Sequence, residues 1–145
     1  MHSMNRIKRL MGAGLGAAAI ALAGCASMSM SKTVNVSLSG ADQVPPVSTA
    51  ARGSGTITVN RDQTVSGSIT IAGLSPGAAH IHIGARGTNG PVAIGLTRSS
   101  ETVWVVPAGA RFNDEQYKSF LAGQTYVNFH TAAHKGGEIR AQLQP

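Results

Sequence analysis

The sequence predicts an all-β domain, a Greek-key β-sandwich or barrel of about eight short antiparallel strands with one short helix. Three observations carry this. Apolar and polar residues alternate with period two in one segment after another beyond Thr33, as strands with one buried face require. Gly- or Pro-bearing turns separate those segments at short intervals. The composition is 42% hydrophobic and only 12% charged, which suits a compact domain and excludes a disordered polyelectrolyte.

The first strand sets Val34, Val36 and Leu38 on one face, with Asn35, Ser37 and Ser39 on the other. A loop at Pro45-Pro46 follows. Gly55, Ile57 and Val59 then alternate with Ser54, Thr56 and Thr58 until Asn60-Arg61-Asp62-Gln63 turns the chain, and Val65, Ile69 and Ile71 alternate on the return. These two segments predict an antiparallel hairpin. Further strands are expected over 79–83, 92–97, 102–106, 125–130 and 138–143. The one helix starts at Asn113, an N-cap with Gln116 in the reciprocal position of a capping box and Phe112 and Tyr117 spaced as a hydrophobic staple. Asp114 and Glu115 suit the positive end of its dipole. Tyr117, Phe120 and Leu121 form its apolar face, and Gly123 ends it, giving a two-turn cover on the sheet edge.

At 145 residues the chain has room for one domain, and its start is a separate unit. Residues 1–9 carry Arg6, Lys8 and Arg9; residues 10–23 are uncharged and rich in Ala, Gly, Leu and Ile. An apolar run of about 14 residues is short of the roughly 20 that span a bilayer, so a signal peptide is expected rather than a membrane helix. Leu22-Ala23-Gly24-Cys25 resembles the bacterial lipobox, in which the cysteine becomes the acylated N-terminus. That resemblance implies residues 1–24 as lipoprotein signal peptide, 25–32 as acylated Cys25 plus flexible tether, and 33–145 as the folded domain. Ala26 after the cysteine resembles the pattern that sends such proteins to the outer membrane, facing the periplasm. The rival reading is an ordinary secretory leader with an incidental cysteine.

Of the twelve basic residues three lie in the leader, leaving nine against six acidic ones in the mature chain. They are scattered and no aromatics interleave them, so no nucleic-acid footprint is present. A single cysteine excludes an intrachain disulfide framework and a cysteine-based zinc site. No Ser-His-Asp or Cys-His nucleophile set is legible, which argues against a hydrolase.

The histidines carry the most informative chemistry. His80 and His82 stand in Ala-His-Ile-His-Ile, two apart on a strand, so both rings share one face while Ile81 and Ile83 take the other. With the isoleucines in the core, the histidines belong to the outer surface. His130 follows Val127 and Phe129 in the same phase and points outward beside Tyr126 and Asn128. It meets the pair if the two strands are neighbours. His134 lies in the following loop and is counted with them as a fourth candidate metal ligand. An all-imidazole set without thiolates suits copper, zinc or nickel over calcium or magnesium. The rival reading makes them scaffold residues bonded to carbonyls and loop groups. Glu138 and Arg140 continue the outward face of the last strand, where a surface ion pair would contribute less than about 1 kcal/mol.

Several motifs in one order resemble the CHRD domain, a module repeated in chordin and found singly in bacterial secreted proteins. They are Leu38-Ser39-Gly40-Ala41-Asp42-Gln43-Val44-Pro45-Pro46, Ile71-Ala72-Gly73-Leu74, Ala79-His80-Ile81-His82, Gly87-Thr88-Asn89-Gly90-Pro91-Val92, and the run from Tyr126-Val127-Asn128-Phe129-His130 to Gly136-Gly137-Glu138-Ile139-Arg140. The order of His-x-His strand, glycine-rich loop, later strand ending in His, and Gly-Gly before an arginine is similar to the plan of copper-zinc superoxide dismutases. That likeness implies His80, His82 and His130 as copper ligands and Arg140 as an anion-guiding arginine. The loop over 84–91 has no histidine to bridge two metals and no Asp for a zinc site, and there is no second cysteine. The expectation is therefore a lipid-anchored envelope protein that acts by binding, with copper as its foremost ligand, and not an enzyme. A protein-interaction module without metal and a dismutase-like redox enzyme are the alternatives.

Overall fold

The computed structural model describes residues 30–145; the leader, Cys25 and the first part of the tether lie outside the described residues. The elements in chain order are β1 (Lys32–Leu38), β2 (Arg52–Val59), β3 (Val65–Ala72), β4 (Ala78–Ile83), β5 (Val92–Gly95), β6 (Thr97–Arg98), β7 (Val103–Val105), α1 (Asp114–Leu121), β8 (Thr125–His130) and β9 (Ile139–Leu143). They form two sheets, ordered β1-β2-β3-β7-β6 and β5-β4-β8-β9, with every pairing antiparallel. This is an all-β sandwich with one short helix. Among the described residues no helix is long and apolar enough to cross a membrane.

The alternation in the sequence becomes the core. Val34, Val36, Leu38, Ile57, Ile69 and Ile71 of the first sheet are buried in one cluster with Ile81, Val127, Phe129, Ile139 and Leu143 of the second, the two inner faces of a sandwich. Trp104 meets Phe129 edge to face, ring centroids 5.8 Å apart, a favoured aromatic geometry. The β2–β3 hairpin pairs Val59 with Val65 and runs to Arg52 with Ala72. Its turn is closed by Asn60 N–H donating to the Thr64 carbonyl.

The helix begins as its sequence requires. Gln116 N–H donates to Asn113 Oδ1 and Asn113 N–H to Gln116 Oε1, both at 2.9 Å, a complete capping box contributing about 1 kcal/mol. It ends in a Schellman motif: Gly123 N–H reaches the Phe120 carbonyl, Gln124 N–H reaches the Ser119 carbonyl, and Gly123 takes φ +70°.

Two expectations about these elements are corrected. Leu121 is 46% exposed, while Phe120 is fully buried. Consecutive helical residues point about 100° apart, and so short a helix touches the core along one line, so its flank faces solvent. The single strand expected over 92–97 is split at the buried Leu96, whose N–H donates to the Ala79 carbonyl: β5 joins the second sheet and β6 the first. Period-two alternation specifies a face, not a partner, and cannot show a crossing between sheets.

Candidate metal centre

In the β4–β8 pair, Ala79 and Ile81 face the core opposite Phe129 and Val127. The alternate residues therefore turn to the sheet's other face. His80 stands opposite Asn128, His82 opposite Tyr126, and His130, two residues beyond Asn128 on β8, opposite Ala78. On the far side of β8, Arg140 stands opposite Asn128 and Gln142 opposite Tyr126.

This face is not the open surface that alternation implied. The loop over 84–91 folds down on it and is held by backbone acceptors. Gln142 Nε2 donates to the Gly84 carbonyl, and the Arg140 guanidinium donates to the Ala85 and Thr88 carbonyls, to Asn89 Oδ1 and to Gln142 Oε1. Gly90 N–H donates to the Tyr126 hydroxyl oxygen, and His82 Nδ1 lies 2.9 Å from the Gly90 carbonyl oxygen. Gly90 must be glycine, because a Cβ there would collide with the Ile83 carbonyl oxygen. Beneath the loop His82 is only 7% exposed.

The three rings lie close together, with centroids 5.5 Å apart for His80–His82, 4.9 Å for His80–His130 and 5.7 Å for His82–His130. One nitrogen from each falls within 4.8 Å of the others. His82 Nδ1 is bonded to the Gly90 carbonyl and His130 Nδ1 to the Lys135 carbonyl, at 2.9 and 2.8 Å. A carbonyl only accepts, so both Nδ1 atoms carry a proton, and in a neutral ring so held it is Nε2 that presents the lone pair. His82 Nε2, His130 Nε2 and His80 Nδ1 are buried without a hydrogen-bond partner. An unmade bond at a buried polar atom costs about 1–3 kcal/mol, and such orphans are rare in folded proteins.

Charge state favours the same chemistry. Burial, and then the neighbouring His130 and His82, hold the His80 pKa below the ordinary histidine value. Burial also lowers that of His82, against the opposing pull of the Gly90 carbonyl and the Asn128 side chain. Neutral imidazoles with their second nitrogen bonded to a carbonyl are what metal ligation needs, the outer partner fixing tautomer and ring orientation. The cluster fits a nitrogen-preferring ion such as copper or zinc.

The other outward candidates are placed differently. His134 is not in the cluster: its main chain closes the Thr131–His134 turn, and its ring lies apart from the three. Arg140 is 1% exposed, and both terminal nitrogens are committed to the loop and Gln142. Its guanidinium carbon sits 3.5 Å from the Tyr126 ring centroid, and that ring stacks parallel to His82 at 4.8 Å. The anion-guiding role implied for Arg140 is thus replaced by a clamp, because the loop covers the strand face that alternation alone leaves open. The expected Glu138–Arg140 pair is absent among the described residues. Glu138 accepts from the Thr49 and Thr131 hydroxyls instead.

Sequence reasoning named Tyr126 and Asn128 as neighbours of His130 but gave them no part in the site. Gly90 and Gln43 were legible only within the motifs of the resemblance. Gln43 is buried against Gly137 and Asn128, where a Cβ on Gly137 would collide with the Gln43 amide.

Fold and site together define a small two-sheet antiparallel sandwich with three converging imidazoles, one of them bonded to the loop over 84–91. Residues 34–143 match the model of the CHRD domain, and the chain belongs to that family. No curated protein and no solved structure matches it.

Proposed function

We propose that this chain is a lipid-anchored protein of the cell envelope that binds one transition-metal ion, foremost copper, through His80 Nδ1, His82 Nε2 and His130 Nε2. The observation that carries the reading is the convergence of three buried, unpartnered imidazole nitrogens, two of them on rings whose Nδ1 is tied to a carbonyl. Its action is binding rather than turnover, in storage, delivery or tolerance of the ion. The loop over 84–91 offers no histidine for a bridged metal pair, and Arg140 is occupied as a clamp. Attachment is through acylated Cys25, facing the periplasm from the outer membrane, supported by the lipobox-like Leu22-Ala23-Gly24-Cys25.

The test is a Cu(II) titration of the full chain, without a His-tag and in detergent, followed by electron paramagnetic resonance. One equivalent with nitrogen coordination is expected, lost when His80→Ala and His82→Ala are combined. Equal binding by parent and double variant removes the metal site and leaves an interaction module of the envelope. Cys25→Ser should release the protein from membranes; retention as an integral membrane protein refutes the anchor.

A further inference from the structure

The three imidazoles leave a fourth unpartnered atom on the same face. Asn128 is 1% exposed, and its Oδ1 is buried without a hydrogen-bond partner. Its place in the register is central. It stands directly opposite His80, two residues from His130 on β8, and one diagonal step from His82, which faces Tyr126. Outward side chains in these relationships lie within reach of one another across an antiparallel pair. The amide Nδ2 donates to the Gly136 carbonyl at 3.4 Å, which leaves Oδ1 as the unpartnered end of the carboxamide.

His82 Nε2, His130 Nε2 and Asn128 Oδ1 are each buried without a hydrogen-bond partner, on residues that the β4–β8 register sets side by side. Burial without a partner is unfavourable for each, and neighbouring lone pairs repel, so the arrangement is stabilised by a positive charge in their midst.

We propose that the Asn128 carboxamide oxygen is a fourth donor of the metal centre, completing a neutral three-nitrogen, one-oxygen set. The inference rests on the metal-binding reading and adds a residue to it. A neutral oxygen donor beside three imidazoles suits a divalent first-row ion over a monovalent soft one. The ion keeps its positive charge inside the site, because no anionic side chain belongs to the cluster.

The experiment compares the parent full chain with Asn128→Leu and Asn128→Asp, each titrated with Cu(II) against a competing chelator and examined by electron paramagnetic resonance. Asn128→Leu keeps the bulk and removes the oxygen. It should weaken binding by about 10–100-fold and shift the copper spectrum, with the three-nitrogen pattern retained. Asn128→Asp places an anionic oxygen at the same point and should bind Cu(II) more tightly than the parent. Unchanged affinity and spectrum in Asn128→Leu overturns the proposal while leaving the histidine site standing. If Asn128→Leu does not fold, Asn128→Asp decides, and binding no tighter than the parent overturns it. A parent that takes up no Cu(II) overturns the metal reading itself, before any variant is compared.

Discussion

His82 Nδ1 lies 2.9 Å from the Gly90 carbonyl oxygen, and this bond joins a candidate ligand to the loop that covers it. Gly90 also donates its N–H to the Tyr126 hydroxyl, whose ring stacks on His82. The loop thus holds the imidazole by its far nitrogen and braces its face.

Gly90→Ala should disturb this arrangement, because the new methyl meets the Ile83 carbonyl oxygen in the strand beneath. Overpacking of this kind costs about 1–3 kcal/mol, measurable by urea unfolding, and Cu(II) affinity should fall with it. Gly77→Ala is the control, since nothing lies within 4 Å of a Cβ there. Equal stability of the two variants would show that the loop yields without effect on the site.

Arg140 is the second hold on the loop, and its planar fork matters more than its charge. Arg140→Lys keeps the cation but cannot reach Ala85, Thr88, Asn89 and Gln142 together, as the guanidinium does. A loss of about 2–3 kcal/mol is expected from the charged hydrogen bonds given up. Amide hydrogen exchange over residues 84–91 should accelerate. Slow exchange there in Arg140→Lys would locate the loop's stability elsewhere.

The pH dependence follows from His80 and His82, both held below the usual 6.5 by burial first. Above 6.5 both are neutral in folded and unfolded chains, and the full stability is present. As pH falls below 6.5 the unfolded chain takes protons that the folded chain resists, so stability declines until the lower folded-state values are passed. The metal-free melting temperature should drop on acidification through this window. His80→Ala with His82→Ala should flatten the drop. Imidazole proton shifts in nuclear magnetic resonance should show both rings titrating below 6.5; values above it would refute the desolvated environment.

Local chemistry was legible wherever one segment contained the whole cause. The capping box at Asn113 and Gln116, the hairpin around Asn60 and Gln63, and the shared face of His80 and His82 each depend on residues a few positions apart. Leu121 and the single strand over 92–97 were misjudged because each depends on where a second element stops. His134 was grouped with the others by residue type alone, and the turn it closes carries it away from them.

By itself the sequence determined the period-two faces, the inner residues of the sandwich, and the outward phase of His80, His82 and His130. Those properties follow from strand geometry, which repeats every two residues whatever lies beside it. Only the tertiary structure decided that β8 pairs with β4 in the register that sets Asn128 against His80, and that the loop over 84–91 buries the face instead of leaving it wet. Register and loop docking arise from contacts between segments distant in the chain, and alternation constrains the side of the sheet without selecting the neighbour.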